Sequence, residues 1–489
     1  MYKETLSKDL SKLAAVEHAT QALSRRFSRI GWALLFLAIT SNVAMIATVG
    51  MDHQLFIVAA GVIGGYMALN NDVANNVGPA VGSRALPMFG ALIIAAVFES
   101  LGAILAGGDV VKTISKGIVD PNQISEPNIF IWAMMSALLA AALWVNLATW
   151  LSAPVSTTHA VVGGVMGAGI SAAGFGVVDW GVMGAIAASW VISPLMGGVI
   201  AAAFLAFIKF NVIYRKDKIA GAKRWVPVLV ALMAGVFSAY LLMKGLKNLW
   251  RPGPEIVALV GLAIGVLTYA VVRPLVHRKA AGMENRNKSV RTLFTLPLIF
   301  AAALLSFAHG ANDVANAVGP LAAVVDTATT GSTHGKVGIP TWVLFVGAAG
   351  ITMGLLLFGP KLIRTVGAEI TKMNPMRAYC VALAAAITVI IASALGLPVS
   401  STHIAVGAVF GVGFFREWVI GRKSHINHGS VDRDPEPVAA SSSDPERTRR
   451  RKLVRRQHFM TIVAAWVITV PSAALMGAAL FQMFAWAFS

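Results

Sequence analysis

The sequence predicts an all-α polytopic membrane protein with about 12 transmembrane spans, built from two inverted-topology repeats with broken or re-entrant helices. Hydrophobic residues make up 57% of the 489 residues and charged residues 13%, against about 25% in a soluble domain. Several nearly uncharged windows are long enough to cross a bilayer, and none shows the period-2 alternation of a β-barrel. Two polar phrases that each occur twice indicate the duplication.

The position of the basic residues predicts how the chain is oriented. The net charge is +18, and Lys and Arg cluster beside predicted spans, in segments 25–29, 215–224, 273–291 and 447–456. This is the positive-inside pattern, which places these segments and the N-terminus in the cytoplasm. Attraction to anionic lipid accounts for the charge. We therefore expect a multi-pass protein of a bacterial-type inner or plasma membrane, with the bilayer and not nucleic acid as its partner.

Two pairs of phrases carry the repeat. Residues 71–79 read NDVANNVGP and residues 312–320 read NDVANAVGP, 241 positions later. APVSTTHAVVG begins at residue 153 and LPVSSTHIAVG at residue 397, 244 positions later. Two phrases in the same order at nearly the same offset indicate a duplication. According to the charge pattern, the chain enters the first polar phrase from outside the membrane and the second from inside. This difference predicts inverted topology.

These landmarks divide the chain into four parts. Residues 1–51 form a cytoplasmic N-terminal arm and an extra transmembrane helix, expected to be retained and not cleaved as a signal peptide. Transport repeat 1 covers residues 52–210, and residues 211–289 supply basic loops and two linking spans. Transport repeat 2 covers residues 290–489 and contains a disordered cytoplasmic loop at about residues 424–458. A plain linker and a regulatory segment are both compatible with that loop.

Carboxylates at membrane depth mark candidate ion sites. Asp72 and Asp313 each lie among amides in a polar phrase, and Glu99 lies inside the apolar stretch AAVFESLGAIL. Such residues are costly in a bilayer and usually line a substrate or ion path. Each polar phrase ends in Gly-Pro, which predicts a helix break there. A capped helix end with satisfied amides is the simpler alternative. The counterpart of Glu99 falls within residues 340–343, which hold no carboxylate, so any ion site involving it is asymmetric.

The hydroxyl-rich phrases suit an anion. Ser and Thr are N-cap residues, and a helix N-terminus offers free N–H groups and positive potential. Two such ends from opposed half-helices would suit a small tetrahedral oxyanion, with Asp72 and Asp313 holding an accompanying Na⁺ or H⁺. Ordinary N-caps are the alternative. His159, His309 and His403 adjoin these phrases and are candidate proton relays, although a neutral histidine bonded to a carbonyl fits equally well.

At these residues the chain resembles the PiT family of inorganic phosphate transporters. The resemblance rests on LNNDVANNVGPAVGS, HGANDVANAVGPL, the two Pro-Val-Ser phrases and VFESLGAIL followed by ISKGIVD. The first copy departs from the family in having Leu69-Asn70 where Gly-Ala is usual. Sodium-coupled members often carry a glutamate shortly before the second Pro-Val-Ser, and that place, near Ala382, has none here.

The resemblance implies roles for individual residues. The expected phosphate ligands are Asn75, Ser156, Thr157, Thr158, Asn316, Ser400, Ser401 and Thr402. The expected coupling-ion residues are Asn71, Asp72, Glu99, Asn312 and Asp313. The resemblance implies Asp72 and Asp313, and the other three are expected as polar residues at membrane depth. The resemblance also implies a homodimer and an elevator-like or rocking movement.

The expected function is import of inorganic phosphate by cation symport, with H⁺ preferred over Na⁺ and no cofactor, catalytic residue or metal site. Sulfate transport is the alternative within the class, since sulfate has the same shape but donates no hydrogen bond. An intramembrane aspartyl protease and a passive channel are the rivals from other classes. The single cysteine, Cys380, is expected to be a packing residue and excludes disulfides within the chain.

Overall fold

The structure is a computed structural model of the chain. It describes residues 30–51, 54–69, 74–124, 126–151, 155–245, 252–333, 338–369, 373–426 and 456–488. The predicted N-terminal arm, residues 1–29, lies outside the described residues.

Helices make up nearly all of the described chain, and the one β-bridge joins Val119 to Val178. The α-helices are α1 (Ile30–Ala47), α2 (Gln54–Leu69), α3 (Ala74–Gly82), α4 (Met88–Ala106), α5 (Gly108–Lys112), α6 (Pro127–Trp150), α7 (Thr157–Ala173), α8 (Trp180–Ile208), α9 (Lys218–Tyr240), α10 (Pro254–Lys279), α11 (Asn287–Leu293), α12 (Thr295–Asp313), α13 (Ala315–Thr330), α14 (Thr341–Glu369), α15 (Pro375–Ala394), α16 (Ser401–Ile426) and α17 (Arg456–Phe488).

Ten helical segments of the described residues are long and apolar enough to cross a membrane. The shorter apolar helix α2 adds a further apolar segment. The all-α polytopic class is therefore confirmed, whereas the count of 12 spans and the inverted repeats stay predictions. The segment from Thr295 to Thr330 is 89% buried in its apolar window, while α10 is 17% buried. The polar phrase of repeat 2 thus lies at the centre of the bundle, and α10 faces outward.

The helix break in repeat 2 lies before the proline, not at it. Helix α12 ends at Asp313 and α13 begins at Ala315, so only Val314 separates them. Pro320 lies inside α13, and Pro79 lies inside α3. The expectation that Gly-Pro breaks each helix is wrong, because in a membrane bundle neighbouring groups can satisfy the carbonyl that a proline leaves unbonded.

Both hydroxyl-rich phrases begin helices, as expected. The Ser156 hydroxyl accepts a hydrogen bond from the His159 amide at 3.3 Å and caps α7. The Ser400 hydroxyl accepts one from the His403 amide at 3.4 Å at the start of α16. The predicted N-caps are therefore confirmed. Helix α7 packs against the preceding helix α6, and α16 packs against the preceding helix α15.

Most of the predicted loop at residues 424–458 lies outside the described residues. Helix α16 continues to Ile426, and α17 begins at Arg456. The disordered loop between these two helices stays a prediction.

Glycines allow two helix pairs to pack closely. Helix α7 packs against α17, and a Cβ at Gly167 would lie 2.0 Å from the Ala474 carbonyl oxygen. Helix α16 packs against α8, and a Cβ at Gly411 would lie 2.0 Å from the Gly198 carbonyl oxygen. Small residues are the usual means of close approach between helices in a membrane. These two contacts hold α7 and α16 in place.

Gly167→Ala is therefore expected to destabilise the protein by about 1–3 kcal/mol, the usual cost of overpacking. Its added methyl group would collide with the backbone of α17. A thermal melt of the purified protein in detergent measures the effect. Gly184→Ala in α8 is the matched control, because no atom lies within 4 Å of the added Cβ. Equal melting temperatures for the two variants would contradict the close contact.

Candidate functional site

Part of the predicted site lies outside the described residues. Asn71 and Asp72 fall between α2 and α3 in the undescribed residues 70–73, and the Asn75 side chain also lies outside the described part. The described part of the site comprises the second polar phrase, the first hydroxyl-rich phrase from residue 155 onward, the second hydroxyl-rich phrase and Glu99.

Four polar side chains meet inside the bundle and form what we call the Glu99 cluster: Glu99, Asn76, His309 and Asp313. The Asn76 amide donates a hydrogen bond to Glu99 Oε1 at 2.6 Å. His309 Nδ1 lies 3.4 Å from Glu99 Oε1, and His309 Nε2 lies 3.2 Å from Asp313 Oδ2. The imidazole therefore lies between two carboxylates.

Helix packing explains this arrangement. His309 and Asp313 are four residues apart on α12, so both project from one face. Helix α12 packs closely on α4, since a Cβ at Gly310 would lie 2.1 Å from the Glu99 carbonyl oxygen. The side chains are almost completely enclosed, at 0% exposed for His309, 0% for Glu99 and 4% for Asp313.

The charge of the Glu99 cluster determines its chemistry. Two carboxylates with a neutral imidazole carry −2, and a proton on the imidazole reduces this to −1. Uncompensated charge is expensive in an enclosed site. Glu99 Oε2 has no hydrogen-bond partner among the described residues. A cluster of this composition can take up a proton or a small cation.

A second contact joins the second polar phrase to the first hydroxyl-rich phrase. The Asn316 amide on α13 donates to the hydroxyls of Thr157 at 3.3 Å and Thr158 at 3.4 Å, both in the first turn of α7. All three residues are buried. The Thr158 hydroxyl in turn donates to the Val399 carbonyl oxygen at 3.1 Å. The second polar phrase thus contacts the first turn of α7, the helix that begins in the first hydroxyl-rich phrase.

Asn312 holds the first residues of the second hydroxyl-rich phrase. Its amide nitrogen donates to the Ser393 hydroxyl at 2.9 Å and the Leu397 carbonyl at 3.1 Å. Its amide oxygen accepts from the Val399 N–H at 3.1 Å. Both ends of this amide are therefore engaged with protein groups, and its part in ion binding stays a prediction.

Three histidines were predicted as relays, and they occupy two places. His309 belongs to the Glu99 cluster. His159 and His403 lie close together, with ring centroids 5.1 Å apart, and Trp190 packs on His159 at 3.9 Å. The predicted phosphate ligands Ser401 and Thr402 follow Ser400, which caps α16. Ser401 is buried and Thr402 is partly exposed.

Sequence reasoning missed two partners, Asn76 and Trp190. A signal for Asn76 exists, because the two polar phrases differ there: repeat 1 has Asn76 where repeat 2 has Ala317, and only repeat 1 carries Glu99. The pair Asn76 and Glu99 could have been inferred from that asymmetry. Trp190 gave no comparable signal.

Cys380 and one cavity of the described chain involve none of the predicted site residues. No group of three or more His, Cys, Asp or Glu within the described ranges could hold a metal ion. Cys380 is buried in α15. A cavity of about 360 Å³ between Lys116, Asp120, Asp179 and Val182 contains none of the predicted site residues.

Helices long enough to cross a membrane surround enclosed charged residues at an interruption between helices. This combination defines a multi-pass transport protein. The chain belongs to the phosphate transporter family, whose family model matches residues 70–477. The resemblance found in the sequence is therefore confirmed.

Relatives and a solved structure agree with this assignment. A protein of Helicobacter pylori strain J99, provisionally named a phosphate permease, is 46% identical over 97% of this chain and 98% of its own. A similarly named protein of Pyrococcus abyssi is 35% identical over 84% of this chain and 93% of its own. The solved structure named "The sodium-dependent phosphate transporter" is 34% identical, with a TM-score of 0.77, and the match covers 88% of this chain and 99% of the solved one.

Proposed function

We propose that this chain imports inorganic phosphate by cation symport, with alternating access around a site near the bilayer midplane. The observation that carries the proposal is the contact of Asn316 with Thr157 and Thr158, which joins an intramembrane polar break to a helix N-terminus. Free N–H groups and hydroxyls at such an end favour a tetrahedral oxyanion. The names of the relatives support phosphate as that anion.

The phosphate ligands in this proposal come from both repeats. Ser156 and Ser400 place the helix starts, and the first turns of α7 and α16 present amide N–H groups. The proposed ligand set is Asn75, Ser156, Thr157, Thr158, Asn316, Ser400, Ser401 and Thr402.

The proposed coupling ion is H⁺. The support is His309 between the carboxylates of Glu99 and Asp313, because a cationic imidazolium suits an anionic pair and would repel Na⁺. The name of the solved relative favours Na⁺, which is the second candidate. Asn71, Asp72, Glu99, Asn312 and Asp313 remain the proposed coupling-ion residues under either choice. His159 and His403 remain candidate relays.

Alternating access would move one repeat against the other, with residues 52–210 and 290–489 as the two units and residues 211–289 as the link. The N-terminus is proposed to be cytoplasmic because basic segments flank the spans on that side. The proposed assembly is a homodimer.

Competition between anions tests the substrate. HPO₄²⁻ can donate a hydrogen bond and sulfate cannot, so acceptor carboxylates near the anion favour phosphate. A tenfold excess of sulfate is expected to leave uptake of labelled phosphate into proteoliposomes nearly unchanged, whereas unlabelled phosphate is expected to abolish it. Equal inhibition by the two anions would assign the site to sulfate as well. Uphill accumulation in the same vesicles would exclude a passive channel.

A further inference from the structure

The three residues before Ser400 lie between two helices, and side chains from three other helices bind their carbonyl oxygens. We call residues Leu397–Val399 the Pro398 segment. Asn312 Nδ2 of α12 donates to the Leu397 oxygen at 3.1 Å. Trp190 Nε1 of α8 donates to the Pro398 oxygen at 3.0 Å. The Thr158 hydroxyl of α7 donates to the Val399 oxygen at 3.1 Å. Each carbonyl of the segment is therefore held from a different helix.

Trp190 is the donor that belongs to neither repeated phrase. Its indole also packs on His159, with ring centroids 3.9 Å apart, and His159 in turn faces His403. Trp190 therefore bonds the chain leading into α16 and packs on the first turn of α7. It touches both of the helix starts that the proposed function uses.

The sequence around Trp190 recurs in repeat 2. Residues 187–193 read AASWVIS and residues 463–469 read VAAWVIT. The first belongs to α8, which packs on α16, and the second to α17, which packs on α7. Each of these segments therefore lies on a helix that packs against a helix begun by a hydroxyl-rich phrase.

We propose that Trp190 is a positioning residue for anion binding: its indole N–H fixes the Pro398 carbonyl and thereby places Ser400, Ser401 and the first amide N–H groups of α16. Trp190 does not touch the anion. The expected effect of Trp190 on transport rests on the proposed function. The expected effect of Trp190 on the Pro398 segment rests on geometry alone.

Trp190→Phe removes the N–H donor and keeps an aromatic ring against His159. The apparent KM for phosphate is expected to rise about three- to tenfold, as loss of one hydrogen bond implies, while Vmax changes less than about twofold. Trp180→Phe is the matched control, because Trp180 Nε1 also donates to a carbonyl, that of Phe175, at an exposed position. An unchanged KM in Trp190→Phe overturns the proposal.

A cavity left by the smaller ring could mimic this result, so a second variant is needed. Benzothienylalanine at position 190 keeps the bicyclic shape and replaces the N–H with sulfur. It is expected to raise KM as Phe does, and a wild-type KM in this variant assigns the effect to packing and overturns the proposal.

Hydrogen exchange separates this inference from the proposed function. Amide exchange in a peptide spanning residues 396–404 is expected to accelerate in Trp190→Phe and not in Trp180→Phe. If wild-type protein moves no phosphate, the proposed function fails and the exchange measurement alone decides on Trp190. Exchange equal to wild type in that peptide would then overturn the positioning role.

Discussion

Asp313→Ala is expected to reduce phosphate uptake by about 100-fold or more while leaving the protein folded in the membrane. Asp313 ends α12 and lies 3.2 Å from His309, with 4% of its side chain exposed. Alanine can neither hold a proton nor pair with His309. The enclosed site therefore loses a carboxylate that the proposed coupling requires. Uptake of labelled phosphate into proteoliposomes measures the effect.

The matched control for Asp313 is an exposed carboxylate. Glu284 pairs with Arg286 at 2.9 Å, and 67% of its side chain is exposed. Glu284→Ala is expected to transport at the wild-type rate, since exposed ion pairs contribute little. Gel filtration and the amount of protein in the vesicles show whether each variant folds and inserts. Normal uptake by correctly inserted Asp313→Ala would remove this residue from the mechanism.

Glu99→Gln is expected to preserve the exchange of phosphate across the vesicle membrane and to abolish the accumulation of phosphate. The amide keeps the size of the side chain and its contact with Asn76 but cannot take up or release a proton. Exchange of labelled for unlabelled phosphate across the vesicle membrane needs no net proton movement and is expected to persist. Accumulation driven by a pH gradient is expected to fall to the background level, because position 99 can no longer gain and lose a proton in each cycle.

Glu255→Gln is the control for this experiment, since Glu255 is an exposed carboxylate in the first turn of α10. It should exchange and accumulate phosphate normally. Full accumulation in Glu99→Gln would exclude Glu99 from coupling. Equal loss of exchange and accumulation would place Glu99 in phosphate binding or in folding instead.

Much of the fold follows from local sequence properties. A low content of charged residues and long apolar windows indicate that lipid surrounds the helices. These two properties predicted the polytopic class. Ser156 and Ser400 were predictable as N-caps because capping depends on residues three positions apart. The phosphate transporter family was recognisable because its motifs are contiguous in sequence.

The partners of each polar residue were less predictable. Membrane depth shows that Asp313 or Glu99 must be compensated, but not by which side chain. The contact of His309 with both depends on how closely α12 packs on α4, which the glycines of those helices allow. Asn312 adjoins Asp313 in sequence, and its amide bonds the Pro398 segment, a contact that sequence alone could not predict. Adjacent residues on a helix point in different directions.

The position of the helix break was also beyond local rules. Proline lacks a backbone N–H and its ring crowds the carbonyl of the preceding turn, so Gly-Pro commonly ends a helix in soluble proteins. Here Pro320 lies inside α13, and the discontinuity falls at Val314. The neighbouring helices determine which backbone groups have hydrogen-bond partners. The position of the break therefore depends on how the whole bundle packs.

Proton coupling through the Glu99 cluster is tested most directly by labelled phosphate uptake into proteoliposomes with sodium and pH gradients imposed independently. If phosphate enters with a proton that this cluster carries, accumulation occurs in sodium-free medium when the lumen is alkaline. It is expected to collapse when a protonophore is added. Accumulation that requires a sodium gradient and ignores the pH gradient would contradict proton coupling.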